Sequence, residues 1–296
     1  MAIHVVPTEF ATVQEAIDAA NAGDSIQILA GTFDGFNVTK ERLKLFGCGI
    51  GKTIIAGSPS PVSSNGIDVN ADQTIFQGLT VQGFTNDGIN VISNNNVIKE
   101  VDSNHNADDG LEIDGENNLV INCLASFNGT HGFDIDTNHN SIMLCNSFQN
   151  KVEGFGVDGN FNKCLNNLAK ENVDDGFDVD GNFNTLFSNT VRNNDRGIAA
   201  DDANNNIINN MVCDNLRMGI SVDDDENIID SNIIRNNGIS GSGSGIKVEA
   251  LDFNNSIRLN KLKLNEPFDI QVDGGVNDNI FDGNKCDSSF PPEICT

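Results

Sequence analysis

Tryptophan and tyrosine are both absent from this 296-residue chain. Sugar-binding surfaces commonly stack on those rings, which pair an apolar body with a polar tip, so their loss weighs against an ordinary aromatic sugar platform. Basic residues are scarce, with 17 Lys and Arg against 43 Asp and Glu and a formal charge of −26. A field of that sign repels nucleic acid, anionic lipid and polyuronates unless cations intervene, so a DNA- or RNA-binding role is not expected. No apolar run approaches the roughly 18 residues of a membrane span. The opening Met1-Ala-Ile-His-Val-Val-Pro7 lacks the basic and apolar segments of a signal peptide. The chain is therefore expected to be cytoplasmic, spore-like or phage-like, or a mature secreted form. The seven cysteines have no C-x-x-C spacing, which argues against zinc-ribbon and thioredoxin-type sites. Cys123 and Cys145 lie 22 residues apart and are expected as buried neighbours in one column. Whether Cys286 pairs with Cys295 is left open.

What the chain does have is a repeat. Gly66, Gly88, Gly110, Gly132, Gly154 and Gly176 are each 22 residues apart, and the series runs on through Gly197, Gly219, Gly245 and Pro267. Each Gly opens a phrase such as Gly110-Leu-Glu-Ile-Asp114 or Gly176-Phe-Asp-Val-Asp180. Alternation of that kind is a strand with one buried face, Ile, Val, Leu and Phe inward and Asp and Glu outward. A second column, Asn96, Asn118, Asn140, Asn162, Asn184 and Asn206, repeats with it. Asn tolerates left-handed turns, and stacked amides bond from coil to coil. A unit this short suits a β-solenoid. The expected fold is all-β, a right-handed parallel β-helix of about ten coils with a short N-terminal capping helix. Residues 1–62 form the cap and first coils, 63–273 the regular coils and 274–296 a C-terminal cap. Thr12-Val-Gln-Glu15 fits a capping box and predicts a helix over 12–21. Asn237 to Gly245, which carries a four-residue insertion, is expected as a loop.

Two motifs fail on inspection. Gly47-Cys-Gly-Ile-Gly-Lys-Thr53 resembles a phosphate loop, but Phe46 stands where Gly is needed and Thr53-Ile-Ile-Ala56 reads as a strand. Asp178-Val-Asp-Gly-Asn-Phe-Asn184 lacks the Gly and Glu of a calcium-binding EF-hand loop.

The carboxylate stripe is the main functional signal. Asp114, Asp136, Asp158, Asp180, Asp201, Asp223 and Glu249 each follow their coil's Gly by four residues, and Asp68, Glu112, Asp134 and Asp178 form a parallel column. Neighbours about 4.8 Å apart repel by roughly 1 kcal/mol in water and about 3.5 kcal/mol at an effective dielectric of 20. Protonation, divalent cations or interleaved bases offset that cost. Between residues 101 and 191 there are 15 acids and only Lys151, Lys163 and Lys170 as bases, which favours cations. A calcium-like ion at Asp136, Asp158, Asp180, Asp201 and Asp223 is one expectation; a merely solubilising face is the other.

The segments Phe10-Ala-Thr-Val-Gln-Glu-Ala-Ile-Asp-Ala-Ala-Asn-Ala-Gly-Asp24 and Ile26-Gln-Ile-Leu-Ala-Gly-Thr-Phe33 resemble the start of pectin-lyase-like β-helix proteins. The repeats from Gly66 to Val272 resemble those of mannuronan C5-epimerase-like and NosD-like proteins. The resemblance implies the fold and leaves lyase, hydrolase, epimerase and inert scaffold open. Against an epimerase template, His131-Gly-Phe-Asp134 keeps Asp134, and Asp158 matches the next coil's Asp. Asp136 stands where the template has His, and the template's Tyr is missing. Against a polygalacturonase template, Asp87, Asp108-Asp109 and His131-Gly132 follow in order at 22-residue steps, but the later Arg-Ile-Lys has no counterpart in the next coils. Paired carboxylates there would protonate a leaving oxygen and activate water. Arg196 and Arg217 precede coil-opening Gly residues and are expected near Asp180, Asp201 and Asp223, as lyase-type bases or as ion pairs. The expected function is binding or processing of a polysaccharide or cell-surface glycan, with Ca2+ if the glycan is a polyuronate. The competing expectation is a non-catalytic surface scaffold.

Overall fold

The glycine-led phrases form one of three strand columns in each regular coil. A computed structural model describes residues 1–57, 65–241, 243–274, 276 and 278–295. The chain is an all-β parallel solenoid of about 13 turns with one short helix. That exceeds the ten coils counted from the Gly series, because the irregular ends are coiled as well. Ile3–Val6 already pairs with Ser25–Ile28, and Ser289–Phe290 pairs with Ile270-Gln271. The chain divides into two compact units, Met1–Lys151 and Val152–Thr296. The expected boundary between residues 62 and 63 lies outside the described residues.

In the first unit, Phe36–Val38, Ile67–Val69, Ile89–Val91, Leu111–Ile113 and Phe133–Ile135 stack in parallel register. Ile67, Ile89, Leu111 and Phe133 are buried, as the alternation requires. The helix spans Val13–Ala19, with the capping box between Thr12 and Glu15 complete and Val13, Ala16 and Ile17 buried. Thr53–Ala56 is a strand, not the helix a phosphate loop needs. In the second unit a glycine-led column runs through Phe155–Val157, Phe177–Val179, Ile198–Ala200 and Ile220–Val222 to Ser244–Val248. Phe155 and Phe177 stack with centroids 4.5 Å apart. Cys286 and Cys295 form a disulfide.

The glycine column exists because the coils touch there. A Cβ on Gly110 would fall 2.5 Å from the Gly132 carbonyl oxygen, and one on Gly176 would fall 2.2 Å from Val191 Cγ1.

From Leu119 onward the other two columns are mostly three-residue strands with a left-handed residue at each corner, whereas Ile75–Gln82 and Val97–Asn104 run through the corner as eight-residue strands. Leu119–Ile121 and Leu124–Ser126 flank Asn122 at φ 53°, and Phe127 follows at φ 58°. The left-handed residue therefore precedes the ladder asparagine. Asn117 (φ 59°) carries that conformation ahead of Asn118, and Phe183 (φ 60°) ahead of Asn184. The expected column also shifts by one: Asn184 donates its N–H to Asn205 Oδ1 at 2.8 Å, while Asn206 begins a strand. Two further ladders run at the other corners. One passes through Asn106, Asn128 and Asn150, and in the second unit another passes through Asn167, Asn189, Asn210 and Asn232. Cys123 and Cys145 fill such a corner in the first unit, buried as expected and with sulfurs directed at Ile98 and Val120 carbonyls.

Candidate functional site: two acidic patches on the glycine-led face

In the first unit, three successive coils bring Asp87, Asp109 and His131 together. Asp109 Oδ1 accepts from the His131 N–H at 2.8 Å and lies 3.0 Å from His131 Nδ1. It also accepts from the Thr130 hydroxyl, which reaches Asp108 at 2.8 Å. Asp87 Oδ1 accepts from the Asp109 N–H at 3.2 Å, and Asn86 Nδ2 donates to Asp87 Oδ2 at 3.1 Å. Asp134 Oδ2 lies 3.4 Å from His131 Nδ1, so it joins this cluster. Two carboxylates of the row, Asp87 and Asp109, are nearly buried, whereas His131 and Asp134 keep open surface.

Glu112 completes the patch and was not singled out by either template. It lies in register between Asn90 and Asp134, so it faces outward beside them. Asn90 Nδ2 donates to Glu112 Oε2 at 2.6 Å. Glu112 and Asp87 share a side-chain hydrogen bond; burial, that bond and the nearby carboxylates push Glu112 up to about 9. Burial, with Asp109 and Asp108 nearby, raises Asp87 to about 6. At neutral pH Glu112 holds a proton while Asp87 is largely ionised, an acid and a base in one patch. The signal was available, since Glu112 stands two residues after Gly110 in the outward column.

The second unit holds the other patch. Arg196 is anchored by the fully buried Asp175, with Nε–Oδ2 2.8 Å and Nη2–Oδ2 2.6 Å. Asp178 and Asp201 lie at 3.9 and 4.0 Å from the same guanidinium. These acids raise the Arg196 pKa above its ordinary value, which opposes a proton-abstracting role. Arg217 departs from its expected place: it pairs with Asp195 and with Asp174 at 4.0 Å, among turn acids instead of Asp180, Asp201 and Asp223. Asp175 went unrecognised as an anchor although it stands one coil before Arg196.

The expected metal column regroups. Asp180 and Asp201 share a cluster with Asp178, while Asp136 clusters with Glu112 and Asp114. Asp158 is exposed, and Asp223 hydrogen-bonds with Asp201. A cation would thus bridge the two outward columns. The donor set is all oxygen, as a hard ion such as calcium requires, and Asp178 Oδ1 and Asp201 Oδ1 are buried without hydrogen-bond partners. Burial and neighbouring carboxylates push Asp178 up to about 8 and Asp223 to about 7.

A model of the right-handed β-helix region matches residues 65–212, half of the chain. Among solved structures, the A-module of a mannuronan C-5 epimerase from Azotobacter vinelandii aligns at 17% identity and TM-score 0.81, covering 95% of each chain. A PL6 family polysaccharide lyase from Pseudopedobacter saltans aligns at 15% identity and TM-score 0.66, covering 92% of this chain and 90% of that one. The Dettilon tailspike protein aligns at 14% identity and TM-score 0.75, covering 96% of this chain and 66% of that one. No curated protein sequence matches significantly. At these identities the structural likeness is one of fold, and on the family match the chain belongs to the right-handed β-helix family.

Proposed function

We propose that the chain binds and processes a polysaccharide along its glycine-led face, with acid–base chemistry at Asp87, Asp109, Glu112, His131 and Asp134. One observation carries this reading: a proton-sharing carboxyl pair, Asp87 and Glu112, lies beside the Asp109–His131 hydrogen bond. A protonated carboxyl can deliver a proton to a glycosidic oxygen, and an adjacent carboxylate or imidazole can activate water. Solved structures of the same fold include a polysaccharide lyase and a mannuronan epimerase, which supports a glycan as the partner.

A polyuronate would need divalent cations on this face, and the cluster of Asp178, Asp180 and Asp201 offers oxygens for one. The rival reading is a scaffold without turnover. It is favoured by the three hydrogen bonds already held by Asp109 Oδ1, which suit a rigid turn as well as a catalyst.

The test is incubation with polygalacturonate, alginate and neutral glycans, with and without calcium. New reducing ends are the expected product. Ultraviolet-absorbing unsaturated uronate would instead place lyase chemistry on the face, and no product from any glycan would leave the scaffold.

A further inference from the structure

The second patch has more negative charge than its neighbours can balance. We propose that this face, around Asp178, Asp201, Asp223 and Ser221, takes a polysaccharide bearing ammonium groups, an amino-sugar polymer. The inference rests on the polysaccharide reading above and names the class of glycan.

Charge is the first argument. Carboxylate oxygens of Asp178, Asp180 and Asp201 lie within 4.8 Å of one another, and Asp223 is hydrogen-bonded to Asp201. Among the described residues Arg196 is the cation that reaches this group, and its shortest contact, 2.6 Å, is already given to Asp175. Lys247 brings no surplus, because Glu249 and Asp273 both hold it. An ammonium group supplies the missing positive charge and also donates hydrogen bonds to the carboxylate oxygens. A uronate would add carboxylates to the same space, and a neutral sugar would supply donors without charge.

Ser221 gives an independent argument. Ile220 and Val222 point into the core, so Ser221 points out toward the patch, yet it is 0% exposed. Its Oγ has no hydrogen-bond partner. A buried hydroxyl in that state is costly, and a ligand's hydroxyl or amine would satisfy it. Ser221 is in register with Lys247, which also lines a cavity of about 210 Å³ together with Met218, Gly243, Pro267 and Gln271. That volume is below the roughly 300–1,000 Å³ of sites that enclose a drug-sized ligand, so it suits a single ring of a chain lying across the face. Met218 and Pro267 offer apolar surface for the ring's C–H face, and Gln271 offers a polar edge.

The experiment is calorimetric titration of the full chain with a glucosamine hexamer, its fully N-acetylated counterpart, and a galacturonate hexamer with and without calcium. The glucosamine hexamer is expected to bind about tenfold or more tightly than the N-acetylated one, the worth of one charge-assisted hydrogen bond. Asp201→Asn is expected to remove that preference while leaving the weaker N-acetylated binding in place. Asp180→Asn, at an exposed position, is expected to reduce the preference and keeps the test independent of any folding defect in the first variant. Equal or tighter binding of the N-acetylated hexamer, or tighter binding of galacturonate with calcium, would overturn the inference and leave the polysaccharide reading standing. Absence of binding by every oligomer would remove both.

Discussion

Asn210 ties its coil to both neighbours through one side chain. Its Oδ1 accepts from Asn189 N at 2.8 Å and Asn189 Nδ2 at 3.1 Å on the coil before, while its Nδ2 donates to Leu186 O at 3.0 Å and to Asn232 Oδ1 of the coil after at 3.1 Å. Asn210→Leu strands those groups in a buried corner, at about 1–3 kcal/mol for each one left unpaired. The expected result is an unfolding free energy lowered by at least about 2 kcal/mol, read by circular dichroism as a lower urea midpoint at unchanged slope. Asp109 is the residue to which the proposed acid–base chemistry assigns a catalytic role. Asp109→Asn keeps the side chain's shape but removes the charge facing His131, so turnover is expected to fall about 100-fold or more. Initial rates of reducing-end release measure it. The first Asn ladder was legible because its spacing matches the Gly series. The one through Asn106, Asn128 and Asn150 has the same spacing but was hidden by the five-residue rhythm of the corners, which makes the whole stretch look uniformly polar. The first unit's corner with Cys123 and Cys145 holds no Asn at those positions, and the 22-residue cysteine spacing is what marks it.

Among the elements, the glycine-led strands are the ones the sequence describes best. Their alternation spans five residues, long enough to separate an inward Phe177 from an outward Asp178. Most of the remaining strands are only three residues long, with left-handed residues beside them such as Leu144 and Gln149. Neither side chain signals that conformation, so the corner between these two strands is not marked in the sequence. Packing at the glycine column gives an element-scale prediction. Gly176→Ala would push a methyl into Val191 and the Gly197 carbonyl oxygen, which a 2.2 Å approach forbids without moving a coil. Overpacking of that kind costs about 1–3 kcal/mol, so the variant is expected to melt several degrees lower. Ser103→Ala, which removes a hydroxyl donating to the Gly110 carbonyl at 2.7 Å, is expected to cost less, about 1 kcal/mol.

For the molecule as a whole, the formal charge of −26 sets the pH dependence. Asp87 and Asp175 are raised to about 6, Asp223 to about 7 and Asp178 to about 8, each chiefly by burial. Carboxyls raised on folding favour the protonated state, so the stability they contribute is full below about pH 4, their unfolded range. It is lost as pH rises through the folded values, from about 6 to about 8. The melting temperature is therefore expected to fall between pH 5 and pH 8. Millimolar calcium at the upper end is expected to recover part of the loss, because a cation selective for the folded face stabilises it. A flat melting temperature over that range would mean the stripe carboxylates are ionised and already balanced. The stripe itself was plain in the sequence. Its pairing was not: that Arg196 falls to Asp175 and Arg217 to Asp195 depends on side-chain reach across one coil, which spacing alone does not give.

Whether a glycan lies along the glycine-led face is read from a crystal structure of the chain soaked with the tightest-binding oligosaccharide. Sugar density is expected over that face, at Asp87, Asp109 and His131 or at Asp178, Asp201 and Ser221. Density confined to the strand faces that follow the left-handed corners, or a soaked crystal with no sugar at all under saturating ligand, would contradict that expectation.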